Sequence, residues 1–162
     1  HTVAFLRKKV QCWLPDLKDY DAEISGKYSD APDYFERASA AIEQMFKETG
    51  PYVIGADGIL QRGVLIRHLI LPGQVEDTKR ILEYVAETFE PGDVLFSLMR
   101  QYTPCGRAAE FPEIDRRITD EEYEACESYM EELGIIDGYV QQKESAEAAF
   151  IPAFDGTGVL RT

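Results

Sequence analysis

Apolar positions along this chain fall into two alternating rhythms, short continuous runs and longer stretches with helical spacing. Val10 to Pro15 is a short, mostly apolar run. Gly63 to Leu71 (GVLIRHLIL) is apolar on both faces except for Arg67 and His68, the pattern of a parallel strand covered on both sides. Val94 to Met99 is a third run, and a short fourth lies around Gly138 to Gln141. Between them, Ala38, Ala41, Ile42, Met45 and Phe46 repeat on one face of a helix expected from Asp33 to Thr49. A second helix, from Glu76 to Phe89, carries Ile81, Leu82, Val85 and Ala86. A third starts at a capping box, Thr119 with Glu122, presents Tyr123, Cys126, Met130 and Leu133, and stops at Gly134.

The punctuation agrees with this order. Gly50-Pro51, Pro72-Gly73 and Pro91-Gly92 each end an element. The predicted class is therefore α/β, with about four parallel strands and three helices in strict alternation. Such a sheet can be an open doubly wound sheet or an arc of a barrel, and periodicity alone leaves both open. The segment from Thr2 to Lys9 reads as the last turns of a further helix, with Arg7, Lys8 and Lys9 at the end where cations suit the helix dipole. A domain rarely begins with a helix end, and His1 is not an initiator methionine, so the expectation is that a longer protein supplies what precedes it. Residues 1–162 read as a single partial domain, with residues 143–162 an irregular C-terminal tail.

Composition narrows the functional classes. With 44% hydrophobic and 29% charged residues the chain is neither disordered nor membrane-like, no apolar run is long enough to span a bilayer, and the cytoplasm is the expected location. A net charge of -13 argues against a nucleic-acid partner, which needs a basic patch. Cys12, Cys105 and Cys126 are too widely spaced for a metal knuckle or a disulfide framework. Cys12, in an apolar strand, and Cys126, on an apolar helix face, are expected to pack in the core. Cys105, in the long irregular stretch from Arg100 to Ile118, is expected to be exposed; loops of that length are usually functional.

Ligands of parallel α/β folds gather at the carboxyl ends of the strands, which directs attention to Asp16, Lys18, Arg67, His68, Arg100, Gln101 and Tyr102. Asp16 and Lys18 share a face of an extended segment. They can hold the amine and carboxylate of an amino-acid-like ligand, or form a solvated ion pair of little energetic consequence. Arg67 and His68 point to opposite faces: the arginine is the site candidate and the histidine a satisfied structural group.

Val10 to Lys18 (VQCWLPDLK), Gly63 to Gly73 (GVLIRHLILPG), Ser97 to Pro104 (SLMRQYTP) and Phe150 to Phe154 (FIPAF) together resemble the C-terminal half of radical SAM activating enzymes, in particular the pyruvate formate-lyase activating enzyme-like branch. The likeness runs through nearly the whole chain. It implies a partial (β/α) barrel in which a 4Fe-4S cluster reductively cleaves S-adenosylmethionine to a 5′-deoxyadenosyl radical. That radical takes a hydrogen atom from a glycine of a partner protein, here a glycyl-radical-type substrate. By resemblance, Lys18 meets the carboxylate of S-adenosylmethionine, Gln101 stands where many relatives place a ribose-binding histidine, and Asp16 and Arg67 meet the substrate peptide.

The superfamily's CxxxCxxC cluster motif and its following glycine-rich motif are missing from this sequence. The resulting expectation is a fragment inactive by itself, with no catalytic or metal-ligating residue of its own. Two other readings compete: a self-associating half-barrel whose copies cover the open barrel edge as a homo-oligomer, and a barrel enzyme using Lys18 as a Schiff-base amine. Asp16 beside Lys18 favours the charged amine and counts against the latter.

Overall fold

In the computed structural model of the 162-residue chain, which describes residues 2–6 and 8–140, four strands lie parallel in the order β1-β3-β4-β5. A short helix α1 (Thr2–Phe5) leads into β1 (Cys12–Trp13), and α2 (Ala22–Ser29) and α3 (Tyr34–Thr49) follow. Then β2 (Val53–Ile54) pairs antiparallel with β3 (Leu60–Leu69), α4 (Val75–Thr88) leads to β4 (Leu95–Met99), and α5 (Asp120–Glu132) precedes β5 (Gly138–Val140). The α/β class and the parallel order agree with the sequence reading. Gln141 and the expected tail at residues 143–162 lie outside the described residues, as does His1.

Two elements, α2 and β2, go beyond the predicted strands and helices. α2 lies in a segment without an apolar stripe, buries only Ser25, and owes its ends to local hydrogen bonds. Asp21 accepts from the Glu23 amide at 2.7 Å, and Asp30 closes the helix in the left-handed region at φ 52°. α1 is one turn shorter than the expected helix end. β2 makes a hairpin with the start of β3 and lengthens that strand N-terminally beyond Gly63. Gly63 itself is internal to the strand, at φ 132°, where a Cβ would come within 2.6 Å of the Tyr52 Cβ.

The faces of the sheet are unequal. On one, Val64 and Ile66 of β3, Ile70 just after it, and Phe96 and Leu98 of β4 pack against Ile42, Ile81, Leu82, Val85, Cys126 and Met130 from α3, α4 and α5. On the other, Leu65, Arg67, Leu69 and Leu71 are only half-buried. The sequence pattern suggested two covered faces; a single helix layer covers one, and near the strand ends Ala108 and Ile114 of the long loop shelter part of the other.

His68 belongs to the helix face. It is 1% exposed, with Nδ1 2.7 Å from the Leu17 carbonyl and Nε2 2.9 Å from the Thr78 hydroxyl. The carbonyl can only accept, so Nδ1 carries the proton and Nε2 accepts from Thr78. Burial holds the imidazole down at about 4.

The expected capping box at α5 is formed: Glu122 N donates to Thr119 Oγ1 at 3.2 Å and Thr119 N to the Glu122 carboxylate at 2.9 Å. Glu122 also accepts from the Gly73 amide at 2.7 Å and takes a two-pronged contact from Arg116 at 2.8 and 2.7 Å, which holds its carboxyl down at about 2. One carboxylate thus pins the end of the long loop to the β3–α4 turn. Thr119→Ala is expected to cost about 1 kcal/mol, the usual value of an N-cap hydroxyl, read as a lower urea midpoint at unchanged m-value.

Candidate functional site

The backbone after β1 continues beside β3: Arg67 N donates to the Pro15 carbonyl and Leu17 N to the Arg67 carbonyl, both at 2.9 Å. This extended course buries Leu17 on the helix face and turns Asp16 and Lys18 together to the other, as their spacing predicts. The Tyr34 hydroxyl staples the turn, donating to the Asp16 carbonyl at 2.8 Å and accepting from the Lys18 amide at 3.1 Å. Burial pushes that phenol up to about 12, so it stays protonated as a donor.

Asp16 and Arg67, the two residues assigned to a substrate peptide, meet directly: an Arg67 guanidinium nitrogen lies 2.7 Å from the Asp16 carboxylate. Both side chains are about two-fifths exposed, so the pair contributes little to stability, under about 1 kcal/mol. The Nε of Arg67 is buried and has no acceptor among the described residues. Because Asp16 faces the guanidinium, the carboxyl that shares the adjoining cleft with Lys18 is Asp19.

That cleft, about 260 Å³, opens at the carboxyl ends of β1 and β3. Lys18 and Asp19 form its polar wall, Leu69 and Leu71 its apolar floor, and Tyr28 of α2 and Tyr102 of the long loop its sides. The shape and lining, apolar with few polar groups, are those of a small-molecule site. Gln101 is half-buried next to it, but Tyr102 is the residue of that strand end that lines the cleft.

The long loop, read as irregular, contains a 3-10 turn (Gly106–Glu110) and docks on α2. Glu113 accepts from Lys27 at 2.5 Å and from the Tyr28 hydroxyl at 2.8 Å, and Phe111 meets the Tyr28 ring edge-on at 5.2 Å. Cys105 is exposed and lines the cleft, Cys126 is fully buried with its thiol pushed up to about 11 by burial, and both follow expectation. Cys12, expected in the core, is only half-buried and donates its thiol proton to the Leu60 carbonyl at 3.4 Å. It lies on the strand face opposite Trp13, away from the helices.

Asp19 is the residue that sequence reasoning passed over, as one polar position of a loop. It is 4% exposed. Burial, reinforced by the neighbouring Asp77 carboxylate, pushes its carboxyl up to about 6. Asp77, in the first turn of α4, accepts from the Tyr20 and Asp21 amides at 2.9 and 2.8 Å and so locks the turn that carries Asp19 against the helix. The spacing of Leu17 and Asp19, which puts the acid on the same side of an extended segment as the leucine, is the sequence signal that could have marked it.

No known family profile matches the chain, and no solved structure matches it. A similar protein is an uncharacterised protein of Methanocaldococcus jannaschii, MJ0674, 27% identical over 122 residues, which are 74% of this chain and 31% of that protein. The chain thus spans about a third of the length of the curated relative it matches. Among the described residues no helix is long and apolar enough to cross a membrane.

Proposed function

We propose that this chain is the C-terminal part of a radical SAM protein of the glycyl-radical-activating type, and that its strand-end cleft receives S-adenosylmethionine. The observation that carries the reading is the placement of Lys18: on the wall of a cleft at the carboxyl ends of parallel strands, on a turn fixed by the Tyr34 staple. A sheet with one helix layer and a half-buried opposite face also suits an arc of a barrel, whose lumen side would be the face of Leu65, Arg67 and Leu69.

The residues present suit the cofactor in part. Lys18 would take its carboxylate through a charge-assisted bond, while Leu69, Leu71 and Tyr102 would cover its apolar surface. When bound, S-adenosylmethionine would supply the adenosyl group for hydrogen-atom abstraction, given an electron from a reductant held outside this chain. This chain's own residues orient it, and the loop docked on α2 keeps water from one side. Arg67 and Asp16, on the same face and next to the cleft and both partly exposed, would receive the backbone of a glycyl-radical-type partner.

An iron-sulfur cluster does not fit the thiols of this chain. Cys126 lies in the helix layer, Cys12 on the opposite face and Cys105 on the loop, and no group of His, Cys, Asp and Glu among the described residues could hold a metal ion. The ligands of a cluster would come from another part of the protein.

Calorimetric titration with S-adenosylmethionine tests the proposal. The chain is expected to bind it, and Lys18→Met to weaken binding by about tenfold, the loss of one charge-assisted hydrogen bond, with an unchanged circular dichroism spectrum. No binding by the unaltered chain, or equal binding by the variant, would remove the reading.

A further inference from the structure

The cleft has one fixed wall and one that is held mainly at its ends. Its floor and its Lys18 side belong to β3 and to the segment after β1, whose backbones are hydrogen-bonded to each other. The facing wall is α2 and the middle of the long loop, which contribute Tyr28, Cys105, Arg107 and Phe111. Little lies beneath that wall. α2 buries only Ser25, and between Cys105 and Ile114 the loop buries only Ala108 and Ile114.

What holds these two pieces in place is chiefly each other. Glu113 accepts from Lys27 and from the Tyr28 hydroxyl, the Lys27 ammonium lies 5.7 Å over the Phe111 ring, that ring meets Tyr28 edge-on, and Arg107 reaches Asp30 at 3.8 Å. The Lys27 and Glu113 side chains are about half exposed, so their attraction is weak and open to screening by salt. The firm anchors sit at the ends: Asp77 holds the entry to α2 through the Tyr20 and Asp21 amides, and Glu122 holds the exit of the loop against Gly73. A segment fixed at its ends, with little apolar surface buried along its length and its polar contacts in solvent, opens far below the cost of global unfolding.

We propose that α2 and residues 105–114 form a single strap across the cleft, latched by Glu113 on Lys27 and Tyr28, and that the two pieces open together to expose the floor at Leu69 and Leu71. They open together because the contacts named run from one piece to the other, so releasing either removes the partners of both. The inference concerns the cleft of the proposed function without resting on what fills it. Any ligand that touches both walls binds the latched state better and shifts the strap toward it.

Amide hydrogen exchange of the unliganded chain tests the strap. Glu113→Ala is expected to speed exchange about fivefold at the Phe111 and Ile114 amides, and by a similar factor at Ser25, Asp30 and Ala31, in and just after the helix that the substitution does not touch. Amides of β3 and α4 should keep their rates. Tyr28→Phe, which deletes one hydrogen bond and keeps the ring, should raise both pieces about twofold. Adding about 0.5 M potassium chloride should speed strap exchange in the unaltered chain and have less effect in Glu113→Ala. Opening of the cleft itself is read by Leu69→Cys in a chain that also carries Cys12→Ser and Cys105→Ser. That thiol should react with N-ethylmaleimide about fivefold faster once Glu113→Ala is added. No rise in exchange, a rise confined to the loop, a rise spread over β3 and α4, or an unchanged thiol rate overturns the inference. No ligand enters the experiment, so its failure leaves the S-adenosylmethionine reading standing, and a failure of S-adenosylmethionine to bind leaves the strap standing.

Discussion

Replacing His68 with alanine is expected to lower the free energy of unfolding by about 3 kcal/mol or more, measured by urea denaturation at neutral pH. The ring fills space against Phe96, at 6.3 Å between centroids, and ties three elements together: β3, the segment after β1 through the Leu17 carbonyl, and α4 through Thr78. Its removal leaves a cavity and takes the ring's donor from a carbonyl buried with Leu17. The same geometry sets a pH dependence. The folded imidazole titrates near 4 rather than 6.5, so the fold binds the neutral form and the unfolded chain takes up the proton first. His68 therefore contributes its full share of stability above about 6.5 and loses it as the pH falls toward 4.

Asp19→Asn is expected to act in the opposite direction, raising the free energy of unfolding at pH 7 by about 2 kcal/mol. The carboxyl titrates at about 6 in the fold against 3.8 unperturbed, because burial and then Asp77 disfavour its charge. A raised folded value means that the stability it supplies is fully present below 3.8 and is lost as the pH climbs through about 6. An asparagine removes the charge at every pH, so its advantage should be large at pH 7 and fade below pH 4. There is a corollary for the unaltered chain. Between pH 6.5 and 4 the losses at His68 and the gains at Asp19 oppose each other, and the variant should lose stability more steeply across that interval. A variant no more stable than the parent at pH 7 would contradict the burial and isolation of this carboxyl. A residue whose replacement stabilises the fold is expected where function, rather than packing, retains it.

Much of the framework was legible in the sequence because strong local signals agreed with the tertiary outcome. The β3 run, the stripes of α3 and α4 and the Thr119–Glu122 box each combine periodicity with a terminator. α2 escaped because Ala22–Ser29 lacks an apolar face and is held by its caps and by the loop that docks on it. β2 escaped because two residues carry no periodicity. Of the site, the shared face of Asp16 and Lys18 and the separation of Arg67 from His68 followed from the period of an extended chain. The Asp16–Arg67 ion pair and the isolation of Asp19 did not. Both depend on the register between the segment after β1 and β3, which brings residues about fifty positions apart side by side and which local pattern does not encode.

The most direct test of the account is where S-adenosylhomocysteine binds. Amide spectra of the isotopically labelled chain, titrated to millimolar ligand, should show shifts concentrated at Lys18, Asp19, Leu69, Leu71 and Tyr102, with the helix-layer amides around Ile81 and Cys126 unmoved. Shifts confined to the helix layer, or no shifts at all, would contradict it.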